Sequence, residues 1–335
     1  MRPPAPTAYD GEGPSSQGSL EGSSQGSIVQ LTENFRLNPD LGEFISTIYR
    51  RSFKPQKAQE RELGKFFQTI RPQLGQDIGI PLGIADAIRH FLLALSNVMQ
   101  RKPQELLLPP TIGQADDPSV PASSMDHLSS KALDEPHLPV SLAMIQLETT
   151  ASRLESTGYE GHVRAEAAVA AALVASIQSC MPEASIFVAT PYRVQRQAVR
   201  NILKKTHFPH SPSDATRRMK LSETPISMKN VTVDTIERLQ GAEAAFVICL
   251  FSIPPSAGVD VSFLLERRRL NVAISRAKTL CILVTSSEVL RPAIRVLTNE
   301  GTAKGYAFLK GFAERAWSTG LSINLDAFET AGHLF

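Results

Sequence analysis

The chain has 335 residues, 42% of them hydrophobic and 20% charged, which is ordinary globular usage and enough for a real core. Lysine and arginine number 35 against 33 acidic residues, a net charge of +2, so bulk electrostatics neither demands nor excludes a polyanionic partner. Three cysteines exclude a disulfide or zinc framework, and Cys249 and Cys281 lie in apolar runs where a cysteine acts as a small hydrophobe.

No apolar run follows Met1-Arg2-Pro3-Pro4, so no secretory signal is expected. The most continuous apolar stretch, Ala167 to Ile177, is shorter than the roughly 20 residues a membrane helix needs. An intracellular protein, nuclear or cytoplasmic, without a membrane partner is the expectation.

Residues 1–27 are Pro, Gly, Ser and Gln, with SSQGS repeated at Ser15–Ser19 and Ser23–Ser27, and read as a disordered tail. Residues 28–102 read as the start of the folded part. A strand-like run at Ile28–Leu31 is followed by a turn at Asn38-Pro39-Asp40. A helix then carries Leu41, Phe44, Ile45, Ile48 and Tyr49, and a second helix spans Ile84–Met99.

Residues 103–139, rich in Pro, Ser and Asp, read as a flexible insertion. Residues 140–320 hold the densest signal. Strands are predicted at Ser141–Leu147, Ser185–Thr190, Val231–Asp234, Ala245–Ser252 and Leu280–Thr285. Helices are predicted at Arg164–Met181, Val194–Lys205, Glu266–Lys278, Ser287–Asn299 and Ala303–Trp317, with a tail over 321–335. Strands alternating with helices predict an α/β fold, a parallel sheet covered on both faces, with ligands at the carboxyl ends of its strands.

Four polar clusters punctuate this pattern: Glu33-Asn34-Phe35-Arg36, Thr190-Pro191-Tyr192-Arg193-Val194-Gln195, Val233-Asp234-Thr235 with Leu239-Gln240-Gly241-Ala242-Glu243, and Arg267 to Lys278. On one helix, Leu270, Ala273, Ile274 and Ala277 would form a buried face with Arg269 and Arg276 on its flank. Two arginines so held suit a transferring phosphoryl group, because a guanidinium is always charged and offers a fork of donors. The seven histidines form no H-E-x-x-H and no metal site is expected.

In order, NFRLNP, TPYRVQ, VDTIERLQGAE and RRRLNVAISRAK resemble the second-half motifs of superfamily 1 helicases, most of all the DNA-repair and nonsense-mediated-decay type. The resemblance covers about residues 28–317 and implies a RecA-like domain of the P-loop NTPase type. It implies that Phe35 stacks on adenine and that Arg36 and Arg276 reach the γ-phosphate. By the same resemblance, Glu243 accepts from the ribose and Gln240 faces nucleotide and strand. Arg269 joins the nucleotide side, while Thr190, Pro191, Tyr192 and Thr235 contact the backbone of single-stranded DNA or RNA.

The sequence contains no G-x-x-x-x-G-K-[ST]; its one Gly-Lys pair, Gly64-Lys65, is followed by Phe66. ATP and Mg2+ are therefore implied for a complete motor, with a first RecA-like domain, in cis or trans, supplying the phosphate loop. Two readings stay open: the carboxyl-terminal half of an ATP-dependent helicase, truncated or on a separate chain, and a non-catalytic domain binding nucleic acid or protein. Turnover by the isolated chain is not expected.

Overall fold

Six strands, β3 to β8, pair in parallel throughout, in the order β5-β4-β6-β7-β3-β8. They are β3 (Leu142–Thr150), β4 (Ile186–Thr190), β5 (Val231–Thr235), β6 (Ala244–Phe251), β7 (Ala277–Thr285) and β8 (Trp317–Asn324). A separate two-residue pair, β1 (Glu33–Asn34) with β2 (Lys54–Pro55), precedes them. The computed structural model describes residues 33–48, 54–55, 63–70, 80–100, 141–152, 158–206, 230–239, 241–255 and 260–326. All lie in one unit, Thr32–Phe335. The expected strand at Ile28–Leu31, the tail over 1–27 and the insertion over 103–139 fall outside the described residues.

Side-chain alternation decides which helix each strand residue meets. In β3, Ala143, Ile145 and Leu147 face one core; Phe246, Ile248 and Leu250 of β6 join them. That core is covered by α2 (Leu63–Phe67), α3 (Leu82–Gln100), α4 (Tyr159–Cys180) and α5 (Arg193–Lys205). On the opposite face, Leu142, Met144, Val247, Cys249 and Leu283 pack against α1 (Pro39–Ser46), α6 (Arg267–Ile274) and α9 (Glu300–Arg315). The result is the RecA-like α/β layering expected from the sequence, with an all-parallel sheet between helices. Cys249 and Cys281 lie on adjacent strands, their Sγ atoms 3.9 Å apart, as free buried thiols.

Individual elements depart from the periodicity for physical reasons. The helix expected over Glu266–Lys278 ends at Ile274, because Ala277 already pairs with Ala244 as a strand residue. Arg276 therefore sits in the turn between α6 and β7, and the expected shared helical flank with Arg269 does not exist. Ser287–Asn299 is two short helices, α7 (Ser287–Leu290) and α8 (Ile294–Leu297), divided at Pro292, which cannot continue the first. The chain past Arg315 is not a tail from 321: it forms β8, the sheet's edge, through Asn324.

Both Leu82–Gln100 and Tyr159–Cys180 are long and apolar enough to cross a bilayer by length and composition, which the 11-residue core of the second understated. The second is packed inside the fold, with 83% of its apolar window buried. The Gly64-Lys65 pair lies in α2, where a Cβ on Gly64 would come within 2.9 Å of the Ser96 carbonyl oxygen; it is a helix-packing position.

Candidate functional site

The first motif is shaped by Asn34, whose Oδ1 accepts from the Arg36 (2.9 Å) and Leu37 (3.3 Å) amides and turns the chain sharply after β1. The turn leaves the Phe35 ring 72% exposed, while Leu37 plugs the core at 4%. Asn38 then moors the motif to the sheet: its amide nitrogen donates to Ser141 Oγ and to the Thr279 carbonyl oxygen, both at 3.1 Å. Its own N–H donates to the Lys278 carbonyl oxygen at 3.0 Å, and Pro39 opens α1 behind it. Phe44 of α1 stacks on Phe308 at 4.6 Å and meets Phe312 edge-on, so the motif is braced against α9.

Arg36 is thereby delivered to Glu243, Nε to Oε1 2.6 Å, and the other carboxylate oxygen of Glu243 takes Lys278 Nζ at 3.1 Å. Glu243 enters from the turn before β6, where Gly241 carries a φ of +83°, a conformation that favours glycine. Arg276 completes the group: its Nη1 donates to the Ala242 carbonyl oxygen (3.3 Å) and its Nε to the Val272 carbonyl oxygen (3.2 Å). Three motifs far apart in sequence thus meet around one carboxylate. Their place is the amino ends of β6 and β7, not the carboxyl ends where all the polar clusters were expected. Arg276 rides on the turn that enters β7 and Glu243 on the turn that enters β6, while Arg36 reaches them from the turn between β1 and α1.

The carboxyl edge carries the other motifs. Thr190 closes β4 opposite Thr235 of β5, and its hydroxyl donates to the Asp234 carbonyl oxygen at 3.3 Å. Thr190 and Pro191 are buried and Tyr192 is half-buried, so little of the threonine and proline side chains faces solvent. Tyr192 stacks on Phe263 at 5.1 Å, and the Arg269 guanidinium lies 3.6 Å from the Phe263 ring centroid. Arg269 also pairs with Glu237 (3.0 Å) and Glu266 (2.7 Å), so its contacts lie with Tyr192 and Phe263 rather than with Arg36, Glu243 and Arg276. Gln240 lies outside the described residues.

Beside Thr235, the Asp234 carboxylate pairs with Arg196 (2.9 Å) and Arg200 (3.3 Å), with Arg238 at 4.0 Å. Burial would raise its pKa, but hydrogen bonds from Arg196 and the Thr235 amide, with the charges of Arg196 and Arg200, hold it below the usual carboxylate range. Arg196 and Arg200 of α5, with Arg238 from the turn after β5, surround this one carboxylate with an excess of positive charge.

Sequence reasoning missed Lys278, Phe263 and, most of all, Glu166. Glu166 on α4 is fully buried, and its Oε1 accepts from the Ser252 amide (3.2 Å) and hydroxyl (2.6 Å). Its Oε2 accepts from Gln195 Nε2 at 2.7 Å. Because the Ser252 proton goes to Glu166, His162 Nε2–H donates to Ser252 Oγ (2.8 Å) and His162 Nδ1 accepts from the Thr149 hydroxyl (2.9 Å).

Desolvation pushes the Glu166 carboxyl up to about 7, against the hydrogen bonds from Ser252 and Gln195, and holds His162 down at about 4. Their linkages to folding have opposite signs. Glu166, raised from 4.5, contributes stability that is full below pH 4.5 and lost as pH climbs towards 7. His162, lowered from 6.5, contributes stability that is full above pH 6.5 and lost as pH falls towards 4. Over the shared window the two largely cancel. Urea unfolding across that window should show His162→Gln losing stability with rising pH and Glu166→Gln gaining it, each by up to about 3 kcal/mol. Two flat profiles like that of the wild type would refute the opposition.

A family model described as an AAA domain matches residues 17–288. That span takes in all four motifs and ends just beyond β7. No curated protein matches the chain.

Proposed function

The chain belongs to this AAA-domain family, a helicase-like domain found in superfamily 1 helicases, and from that premise we propose that it is the second, carboxyl-terminal RecA-like half of an ATP-dependent motor. The DNA-repair and nonsense-mediated-decay branch fits its motif spellings best. The observation that carries the reading is the meeting of Arg36, Glu243, Arg276 and Lys278 at one edge of the sheet, beside an exposed Phe35 ring.

Phe35 offers a free aromatic face to adenine. Glu243 is the acceptor for ribose hydroxyls, and Arg36 and Arg276 supply fixed positive charge to the γ-phosphate. Gln240 stands in the same motif as Glu243, between nucleotide and strand. Lys278, absent from the sequence-based assignment, pairs with the second Glu243 oxygen and fixes the carboxylate in place. On this reading Mg2+ and the phosphate loop belong to a first RecA-like domain, since this sequence has no G-x-x-x-x-G-K-[ST]. Single-stranded DNA or RNA runs along the opposite edge, over Thr190, Pro191, Tyr192 and Thr235, beside the arginines of α5. Arg269 serves that edge through Phe263 and Tyr192, not the nucleotide. An intracellular site of action, nuclear or cytoplasmic, follows from such substrates.

The test is nucleotide dependence in a motor assembled with a phosphate-loop domain. Glu243→Gln should raise the KM for ATP about tenfold, the worth of one charge-assisted hydrogen bond, and leave that for 2′,3′-dideoxy-ATP unchanged. Equal losses with both nucleotides would remove the ribose from Glu243.

A second reading has its own support. Arg36 and Glu243 satisfy each other at 2.6 Å, and the sequence lacks a phosphate loop. A domain that keeps the fold and binds nucleic acid or protein without hydrolysis would look the same. It predicts oligonucleotide binding indifferent to nucleotide and to Glu243→Gln.

A further inference from the structure

The nucleic-acid edge proposed above has a buried support in Glu166, which reaches the edge only through Gln195. Gln195 is the third residue of α5, counting from Arg193, and Tyr192 immediately precedes that helix. The Gln195 side-chain oxygen accepts the Tyr192 amide proton at 3.1 Å, so one side chain sets the backbone where β4 turns into α5. The amide cannot rotate to the other orientation at no cost, because its nitrogen faces two acceptors, Glu166 Oε2 at 2.7 Å and the Leu250 carbonyl oxygen at 3.4 Å.

Glu166 makes these contacts as a carboxylate, the form that prevails above about pH 7. Both of its oxygens accept: one from the Ser252 amide and hydroxyl, the other from Gln195. A glutamine has one accepting oxygen. Placed at 166, it would present a nitrogen either to the Ser252 amide or to the Gln195 nitrogen, donor against donor. A fully buried charge that only orders a core would be costly, and a well-packed apolar residue would replace it with little loss. This one spans from α4 to the start of α5 and the end of β6, joining three elements at the edge where Thr190 and Tyr192 sit.

We propose that Glu166 is the positioning residue of the Thr190–Tyr192 edge, acting through Gln195 to hold the backbone that meets the nucleic-acid strand. The assignment rests on the nucleic-acid reading of that edge for its purpose, and on geometry alone for the positioning. Thr149, His162 and Ser252 form the chain of donors that ends on the Glu166 carboxylate; they steady it without reaching the edge themselves.

The experiment pairs hydrogen exchange of the full chain with binding of a fluorescein-labelled 20-nucleotide oligo(dT) or oligo(U). Glu166→Gln should speed exchange of the amides from Tyr192 to Arg196 by about tenfold or more, and weaken oligonucleotide binding by a similar factor. Ser252→Ala, which keeps the Gln195 contact, should cost stability but leave those amides and the binding as they were. The exchanged pair Glu166→Gln with Gln195→Glu restores a donor facing an acceptor, with only the long Leu250 contact given up, and should recover both readouts.

Unchanged exchange in Glu166→Gln overturns the proposal, as does an exchanged pair that folds but recovers nothing. If Glu166→Gln does not fold, the exchanged pair carries the test alone, with wild-type exchange at Tyr192 as the supporting result. A wild-type chain that binds neither oligonucleotide, with exchange behaving as expected, would sink the nucleic-acid reading and leave the positioning standing.

Discussion

In a motor assembled with a phosphate-loop domain, Arg276→Ala lowers ATP turnover by about a thousandfold or more while oligonucleotide affinity stays within about twofold. The size follows from what an arginine gives a phosphoryl transfer: fixed charge on the equatorial oxygens as the γ-phosphoryl moves, in a site closed to water. The selectivity follows from the fold. Arg276 stands at the amino edge of β7, whereas Thr190 and Tyr192 stand at the carboxyl edge of β4, with β6 between the two strands.

The variant is expected to fold normally. The side chain's hydrogen bonds are to the Val272 and Ala242 carbonyl oxygens and, at 3.4 Å, to Ser275 Oγ, all near the surface. Arg276→Lys should recover little, because an ammonium keeps the charge but loses the planar fork. The isolated chain, wild type or variant, should show no turnover above background. Steady-state ATPase and anisotropy on the same preparations read both effects, and an undiminished turnover number would take Arg276 out of the proposed role.

Why some of this was legible in the sequence and some was not is clearest at particular residues. The buried strands β4 and β6 announce themselves as short apolar runs bounded by polar residues, and their ends fell within a residue or so of expectation. Across Arg267 to Lys278, however, Leu270, Ala273, Ile274 and Ala277 satisfy a helical repeat and nothing local says where it stops. The end is set by Ala277 pairing with Ala244, a contact 33 residues away in the chain. With the helix drawn too long, the two arginines looked like one apparatus, when one belongs with Glu243 and the other with Phe263.

β8 was missed because an edge strand buries little: in Trp317–Asn324 only Ile323 is buried, and the alternation puts just Thr319, Leu321 and Ile323 on its inner face. Glu166 was missed for the opposite reason. It sits among Ala165, Ala167, Ala168 and Val169 in a helix buried on nearly every side, where no apolar stripe marks an inner face. A carboxylate in a helix without a solvent face must have partners inside, and that inference was available from the alanine-rich run itself. What the sequence could not supply was Gln195 as the partner.

Gly305→Ala should destabilise the fold by about 3 kcal/mol or more, lowering the unfolding midpoint by roughly 6–12 °C, although the change adds a single methyl group. Glycine at this helical position would ordinarily be a weakness, and alanine there an improvement of about half to one kcal/mol. Here α9 crosses the backbone just before α6, and a Cβ on Gly305 would fall 1.5 Å from the Leu265 carbonyl oxygen and 2.5 Å from its carbon. Neither atom can swing away as a side-chain end would. Leu265 is itself fully buried, so the strain must move α9 bodily off the Leu264–Glu266 segment. Phe308 and Phe312 would be carried away from Phe44 with it, loosening the brace behind Arg36.

Gly83→Ala is the internal comparison, since Gly83 lies in α3 with nothing within 4 Å of its would-be Cβ. It should leave stability unchanged or raise it by about 0.5–1 kcal/mol. Thermal and urea unfolding of the two variants side by side therefore separate propensity from close approach: equal behaviour would mean that α9 does not need to lie against the Leu265 backbone. Because that contact fixes where α6 begins, a Gly305→Ala chain that still folds should also bind nucleotide less well, through Arg36 and Arg276, before it loses its sheet.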